Sequence, residues 1–177
     1  MTPVLTTSRF TLRPLQAGDE AALFTGFSDP ATMQYWSRAP FADLADFRTW
    51  LDAAEWPNAT NRRMWIAVPH AGGQPVAQCG MAERGDQVAE IGYMVMPGHT
   101  RQGVAGECVA ALLTQLFRVE GFHRVFADTD PRNIASNRLL QSLGFTREAH
   151  VRSAMKTHIG WCDTWLWGLL ADEWRDL

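Results

Sequence analysis

The chain has 177 residues, 46% of them hydrophobic and 20% charged, which fits a single globular domain with a sizeable core. Its net charge of -3 gives no basic field for nucleic acid or an anionic membrane, and no apolar run nears the roughly 20 residues of a membrane span. Cys79, Cys108 and Cys162 are odd in number and far apart, as suits reduced thiols in a cytoplasm, and the histidines show no metal-ligand spacing.

In chain order, "MTPVLTTSRF" lacks the basic start and apolar core of a secretory signal. Arg9 to Leu15 alternates apolar and polar residues and predicts a strand. "AGDEAALFTGF" follows as a short helix with Asp19 and Glu20 in its first turn, where the helix dipole favours carboxylates. A second helix starts at Asp29 as cap with Pro30 in the first position. Phe41 to Trp56 sets Leu44, Phe47, Trp50 and Leu51 on one helical face, and Pro57 and Asn58 end it.

"MWIAV", "VAQCGMAE" and "VAEIGYMVM" then read as consecutive antiparallel strands, the first two joined at "HAGGQP". Val109, Leu112, Leu113, Leu116 and Phe117 form a buried helical stripe. Arg124 to Thr129 is a strand, Asn133 to Leu143 a helix stopped by Gly144, and "FTREAHV" and "WCDTWLWGLL" are the closing strands. The expected architecture is one α/β domain, of mixed α+β type, whose mostly antiparallel sheet carries helices on both faces. Along the last strand, Trp161, Asp163, Trp165 and Trp167 share a face with apolar residues opposite, which predicts a central strand packed in the core. Asp163 among those rings needs a hydrogen-bond partner.

The chemistry concentrates in Gly98 to Glu107, "GHTRQGVAGE", just ahead of the long helix. Gly98 and Gly103 have the separation of a P-loop, but Val104 and Ala105 stand where Lys and Ser/Thr are needed. The GxGxxG of a dinucleotide loop is absent. The remaining anion-binding reading uses free backbone N–H groups at a helix start, with small residues at Gly103, Ala105 and Gly106 and the charge of Arg101. A glycine turn without a ligand is the alternative.

Glu90 to Cys108 resembles "(E)IGYxxxPxxxGxGxAxEA" of the GNAT superfamily of acyl-CoA-dependent N-acetyltransferases, in its RimJ/RimL-type branch. "NIASNRLLQSLGF" is similar to the family's "NxxSxxllexlGF", and the opening strand and helix and the closing "WCDTWLWGLLADEW" extend the likeness over nearly the whole chain. The sequence departs from the pattern in three places. Thr100 stands where Gln or Arg is usual, Arg101 replaces the first glycine of GxG, and Leu140 occupies the position of a frequent Tyr general acid.

The resemblance implies a GNAT fold with its fourth and fifth strands splayed, here Val88–Met96 and Arg124–Thr129. It implies acetyl-CoA as co-substrate, no metal, and direct transfer to a primary amine, either a protein N-terminus or a small molecule. Main-chain groups of Val95 and Met96 would pair with the pantetheine, and the Val95 N–H would polarise the thioester carbonyl. Arg101, Gln102, Gly103, Val104, Ala105 and Gly106 would hold the pyrophosphate, and Asn133 would contact the cofactor.

Glu90 is the first candidate for the base that deprotonates the amine, with Glu83 in reserve. Ser136 is the candidate for hydrogen-bonding the sulfur; simple helix capping is its bland reading. Tyr35 and Trp36 lie where acceptor loops lie in the family. Members commonly form homodimers. A catalytically silent acyl-CoA sensor is the rival function, because Leu140 removes the usual tyrosine.

Overall fold

The computed structural model describes residues 2–53 and 61–176. Eight strands, β1 (Leu5–Thr6), β2 (Phe10–Pro14), β3 (Arg62–Pro69), β4 (Ala77–Gly85), β5 (Val88–Val95), β6 (Arg124–Thr129), β7 (Thr146–Thr157) and β8 (Gly160–Leu170), form one sheet. The helices are α1 (Glu20–Phe27), α2 (Pro30–Met33), α3 (Leu44–Ala53), α4 (Val104–Thr114) and α5 (Ile134–Ser142). The strand order is β1-β2-β3-β4-β5-β6-β8-β7. Every pairing is antiparallel except β5 with β6. A parallel pair needs a long crossover, and α4 with a π-helical turn at Gln115–Val119 supplies it.

Period-two alternation puts a core on each face of the sheet. Met64, Ile66, Met94 and Met96 meet Leu23, Phe27, Phe47 and Leu51 of α1 and α3 on one side. Trp65, Ala67, Ile91 and Val125 meet Val109, Leu112 and Leu116 of the α4 crossover and Leu140 of α5 on the other. The predicted stripe Val109, Leu112, Leu113, Leu116 and Phe117 is wholly buried. Each such side chain contributes about 1.5–3 kcal/mol on burial.

Local signals hold at most helix ends. Asp29 accepts the Thr32 N–H at 2.7 Å, and Asn133 accepts the Ser136 N–H at 3.2 Å. Asp19 is the N-cap of α1 but makes no side-chain cap bond, so the first-turn carboxylate is Glu20 alone. Asp19 precedes the helix, is buried, and takes a bidentate pair from Arg13 at 2.7 and 2.8 Å. The third helix starts at Leu44 instead of Phe41, and its expected stop at Pro57 and Asn58 lies outside the described residues.

β8 is flanked by β6 and β7, but its tryptophans do not share one environment. Trp167 is 6% exposed and Trp161 66%, because the β7–β8 hairpin extends beyond the helices that cover the sheet. Asp163 is not enclosed by those rings: its side chain is 42% exposed, and it contacts the His150 Nε2 at 2.8 Å and accepts the Ser153 N–H at 2.9 Å. No helix among the described residues is long and apolar enough to cross a membrane.

Candidate active site

The site originates in a failure of strand pairing. β5 and β6 are in register at Val88/Arg124, Ala89/Val125 and Glu90/Phe126 and then part. Beyond that point β5 stays with β4, and β6 stays with β8. Met96 donates its N–H to Val76 O at 2.9 Å and accepts from His99 at 3.1 Å. Main-chain groups in an antiparallel ladder alternate in direction, so those of Val95, Tyr93 and Ile91 point into the gap toward β6. Of the two amides expected to face a ligand, therefore, only that of Val95 does so. Met96 is committed to the β3–β4 connection, and its side chain is buried under α1.

A cavity of about 490 Å³ occupies this gap. Glu90 and Gly92 line it from one face of β5, Ile91 and Tyr93 from the other. Neighbours in one strand can reach the same cavity because no partner strand closes the sheet there.

Part of the lining is acidic. Glu90 accepts the Arg84 Nε–H at 2.5 Å, and Asp128 lies beside it on β6. Asp128 keeps solvent access in the open cleft; partial loss of solvent against the cleft wall, then the charge of Glu90, raise it above the ordinary carboxylate value. Asp128 is open to this cavity and forms no ion pair among the described residues. Asp130 also faces the cavity, held below its usual value by hydrogen bonds from Arg132. Glu83 lies outside the cavity, on the exposed end of β4 just before a bulge.

Phe27, Tyr35, Trp36 and Trp50 also line the cavity, with the Phe27 and Trp36 rings 5.7 Å apart, and Arg132, paired to Asp130, lies over the Tyr35 ring at 6.0 Å. Asn133 and Ser136 line the wall formed by α5. Asn133 is the N-cap, so part of its side chain is already engaged. The Ser136 hydroxyl does not cap the helix. It sits 2.7 Å from the Tyr93 Oη, across the gap. Burial pushes the Tyr93 phenol up to about 12 despite that hydrogen bond. Leu140 is fully buried in the α4-side core and does not line this cavity.

The glycine loop follows β5 but lies outside the cavity itself. Gly103 caps α4 at φ +74°, and Arg101 takes φ +60° without being glycine. The Glu107 N–H bonds Gly103 O at 3.1 Å, leaving the N–H groups of Val104, Ala105 and Gly106 ahead of the helical ladder. A Cβ on Gly106 would meet only Leu139, at an ordinary 3.6 Å, so packing alone does not require glycine there.

Arg9 clamps the loop, donating to Gln102 O at 2.9 Å and to Glu107 at 2.6 Å. The Gln102 side chain bonds Gly98 O at 2.9 Å, so this residue braces the loop from within. Burial alone would raise Glu107, yet hydrogen bonds from Thr7, Arg9 and Ser8 hold its carboxyl down at about 2.

Sequence reasoning missed three residues here. Asp128 was hidden in a strand pattern, and Tyr93 read as one more apolar strand residue. Asn137, buried behind Ser136, accepts the Thr129 hydroxyl at 2.5 Å and donates to Asp130 O and Pro131 O at 3.2 and 3.1 Å. A polar residue at an inward helical position was the available signal for Asn137.

A splayed sheet with open N–H groups at the next helix start is a fold-level signature that known proteins can test. Residues 9–146 match the family described as Acetyltransferase (GNAT) domain. The chain belongs to this GNAT acetyltransferase family. It is 29% identical over 174 residues to the uncharacterized N-acetyltransferase p20 of Bacillus licheniformis, covering 96% of this chain and 97% of that protein.

In fold, this GNAT chain is similar to a GNAT acetyltransferase from Bacillus anthracis, with a TM-score of 0.88, 22% identity, and 97% and 100% of the two chains covered. It also superimposes on spermidine N-acetyltransferase from Vibrio cholerae in complex with CoA and spermine, with a TM-score of 0.82, 19% identity, and 94% and 98% covered. The expected mixed α/β GNAT fold is thus present, with β5 and β6 as the splayed pair; the two-residue β1 shifts the strand count by one. As a GNAT acetyltransferase, the protein is an acyltransferase.

Proposed function

We propose that this protein moves an acetyl group from acetyl-CoA directly to a primary amine carried on an apolar or aromatic body. Within the family we place it in the RimJ/RimL-type branch, on the motifs around Glu90–Cys108 and Asn133–Phe145. The carrying observation is the gap past Glu90, where β5 presents unpaired main chain beside a cavity lined by both carboxylates and aromatic rings. The acetyl thioester supplies an activated acyl carbon and a thiol leaving group of pKa about 8.5. The Val95 N–H, on the unpaired edge of β5 just beyond the residues that line the cavity, would donate to the thioester carbonyl. Arg101 and the N–H groups of Val104, Ala105 and Gly106 suit a diphosphate.

The amine must lose a proton before it can attack. Asp128 is the base of this reading, because its raised carboxyl is the better proton acceptor, and Glu90 with Arg84 sets its field. This reverses the priority that the sequence gives to Glu90. Ser136 is the donor to the sulfur. Tyr35 and Trp36 wall the acceptor end, where Phe27 and Trp50 give the same apolar character. Three carboxylates, Glu90, Asp128 and Asp130, face Arg62 and Arg84 in the cavity, so the site holds little net negative charge. That balance suits a monoamine over a polyamine. The buried free cysteines fit a reducing cytoplasm.

Thiol release from acetyl-CoA over a panel of amines tests the function. Release should depend on the amine, with aryl- and alkyl-monoamines exceeding spermine in kcat/KM. CoA binding without amine-dependent release from any member of a broad panel, protein N-terminal peptides included, contradicts the proposal. Arg101→Gly separates charge from backbone at the loop. It relieves a left-handed conformation that disfavours side chains by about 1 kcal/mol, so Tm should rise by a few degrees. Kd for CoA should nevertheless weaken severalfold on calorimetry, because the loop loses its cation. An unchanged Kd removes Arg101 from the binding site.

A further inference from the structure

We propose that Tyr93 is a positioning residue: its phenol donates to Ser136 Oγ and so fixes the serine hydroxyl as a donor aimed into the gap. The inference rests on reading this cleft as the site of acetyl transfer. Tyr93 belongs to β5 and Ser136 to α5, and their oxygens stand 2.7 Å apart where the two splayed strands no longer pair. Both ends of the contact are anchored. The Tyr93 ring packs on the α4-side core, and the Ser136 main chain is held by the Asn133 cap.

Each hydroxyl has one hydrogen and two lone pairs, so only one of the two can donate in this contact. A serine within a helix often turns its hydrogen back to the carbonyl one turn earlier. Among the described residues Ser136 makes no such bond, and its hydroxyl meets only Tyr93. The Ser136 carbonyl is a second acceptor within reach of the phenol, but at 3.5 Å it is the longer contact; with the phenol donating to Oγ at 2.7 Å, the serine hydrogen is left for whatever occupies the cavity that both residues line.

The acidities decide between positioning and proton relay. Tyr93 stands at about 12, whereas a thiol of the CoA type ionises near about 8.5. The phenol therefore keeps its proton, and Tyr93 acts through Ser136 without becoming the acid itself. Leu140 leaves the usual helix position without a hydroxyl, so the hydroxyl pair at the gap rests on Tyr93 and Ser136.

A double-mutant cycle with Tyr93→Phe, Ser136→Ala and the double variant tests this, reading kcat and the KM for acetyl-CoA. Tyr93→Phe should lower kcat about tenfold and leave KM within about twofold, whereas in the Ser136→Ala background it should change kcat by less than about twofold. Ser136→Thr, which keeps a hydroxyl, should retain most of kcat while Tyr93 is present and lose it with Tyr93→Phe. Additive effects, or a Tyr93→Phe enzyme with wild-type kcat, overturn the inference. A Ser136→Ala enzyme at full rate overturns it and leaves the acetyl-transfer reading intact. Wild-type protein that releases no thiol with any amine overturns both.

Discussion

Asp128→Asn should lower kcat at saturating amine by about a hundredfold, the size of a lost general base. Glu90→Gln should retain more activity and move the acid limb of the kcat profile to lower pH. The sign follows from the causes of the shift. Partial loss of solvent at the cleft wall comes first, although the side chain stays exposed, and the charge of Glu90 raises Asp128 further. A base works only when ionised, so kcat falls as pH drops through the folded value of Asp128. Removing the charge of Glu90 lowers that value, and the limb must follow it downward.

The pattern is that of two carboxyls whose surroundings separate their roles. Glu90 is paired to Arg84 at 2.5 Å, while Asp128 forms no ion pair among the described residues. If Glu90 were the base, Glu90→Gln would abolish the limb and Asp128→Asn would merely shift it. An Asp128→Asn enzyme within threefold of wild type, with an unmoved limb, removes Asp128 from proton transfer.

What could be read from the sequence was local. The stripe Val109 to Phe117 repeats with helical period, and the strand Arg124–Thr129 matches β6 to the residue. The caps Asp29 and Asn133 and the left-handed Gly144 likewise depend only on neighbours along the chain. Asp128 was beyond such reading. Its meeting with Glu90 depends on the parallel register Glu90/Phe126, set across the whole α4 crossover. The Tyr93–Ser136 contact spans 43 positions for the same reason. β7 runs on to Thr157 past a bulge, with most of its residues exposed, so no apolar alternation marked its length. β1 is too short to carry a period.

Asn137→Ala should be the most destabilising single change near the site. Asn137 is 6% exposed, and both ends of its amide are engaged. Its Oδ1 accepts from Thr129 Oγ1 and, at 3.3 Å, from Trp167 Nε1; its Nδ2 ties the start of α5 to the Asp130 and Pro131 carbonyls. Truncation leaves a buried hydroxyl and two carbonyls without that partner, which costs about 2–4 kcal/mol. For a domain of this size that is a fall in Tm of about 5–15 °C. Trp167 keeps one acceptor, Thr129 Oγ1 at 3.0 Å, so the core beneath should survive. Asn137→Asp should fare no better, since it retains the acceptor but sets a carboxylate against the same two carbonyls. Because Ser136 is the adjacent residue, kcat should fall with stability in Asn137→Ala, whereas Ser136→Ala should lower kcat at nearly unchanged Tm. A melting curve within two degrees of wild type would mean that the start of α5 is held in place by other contacts.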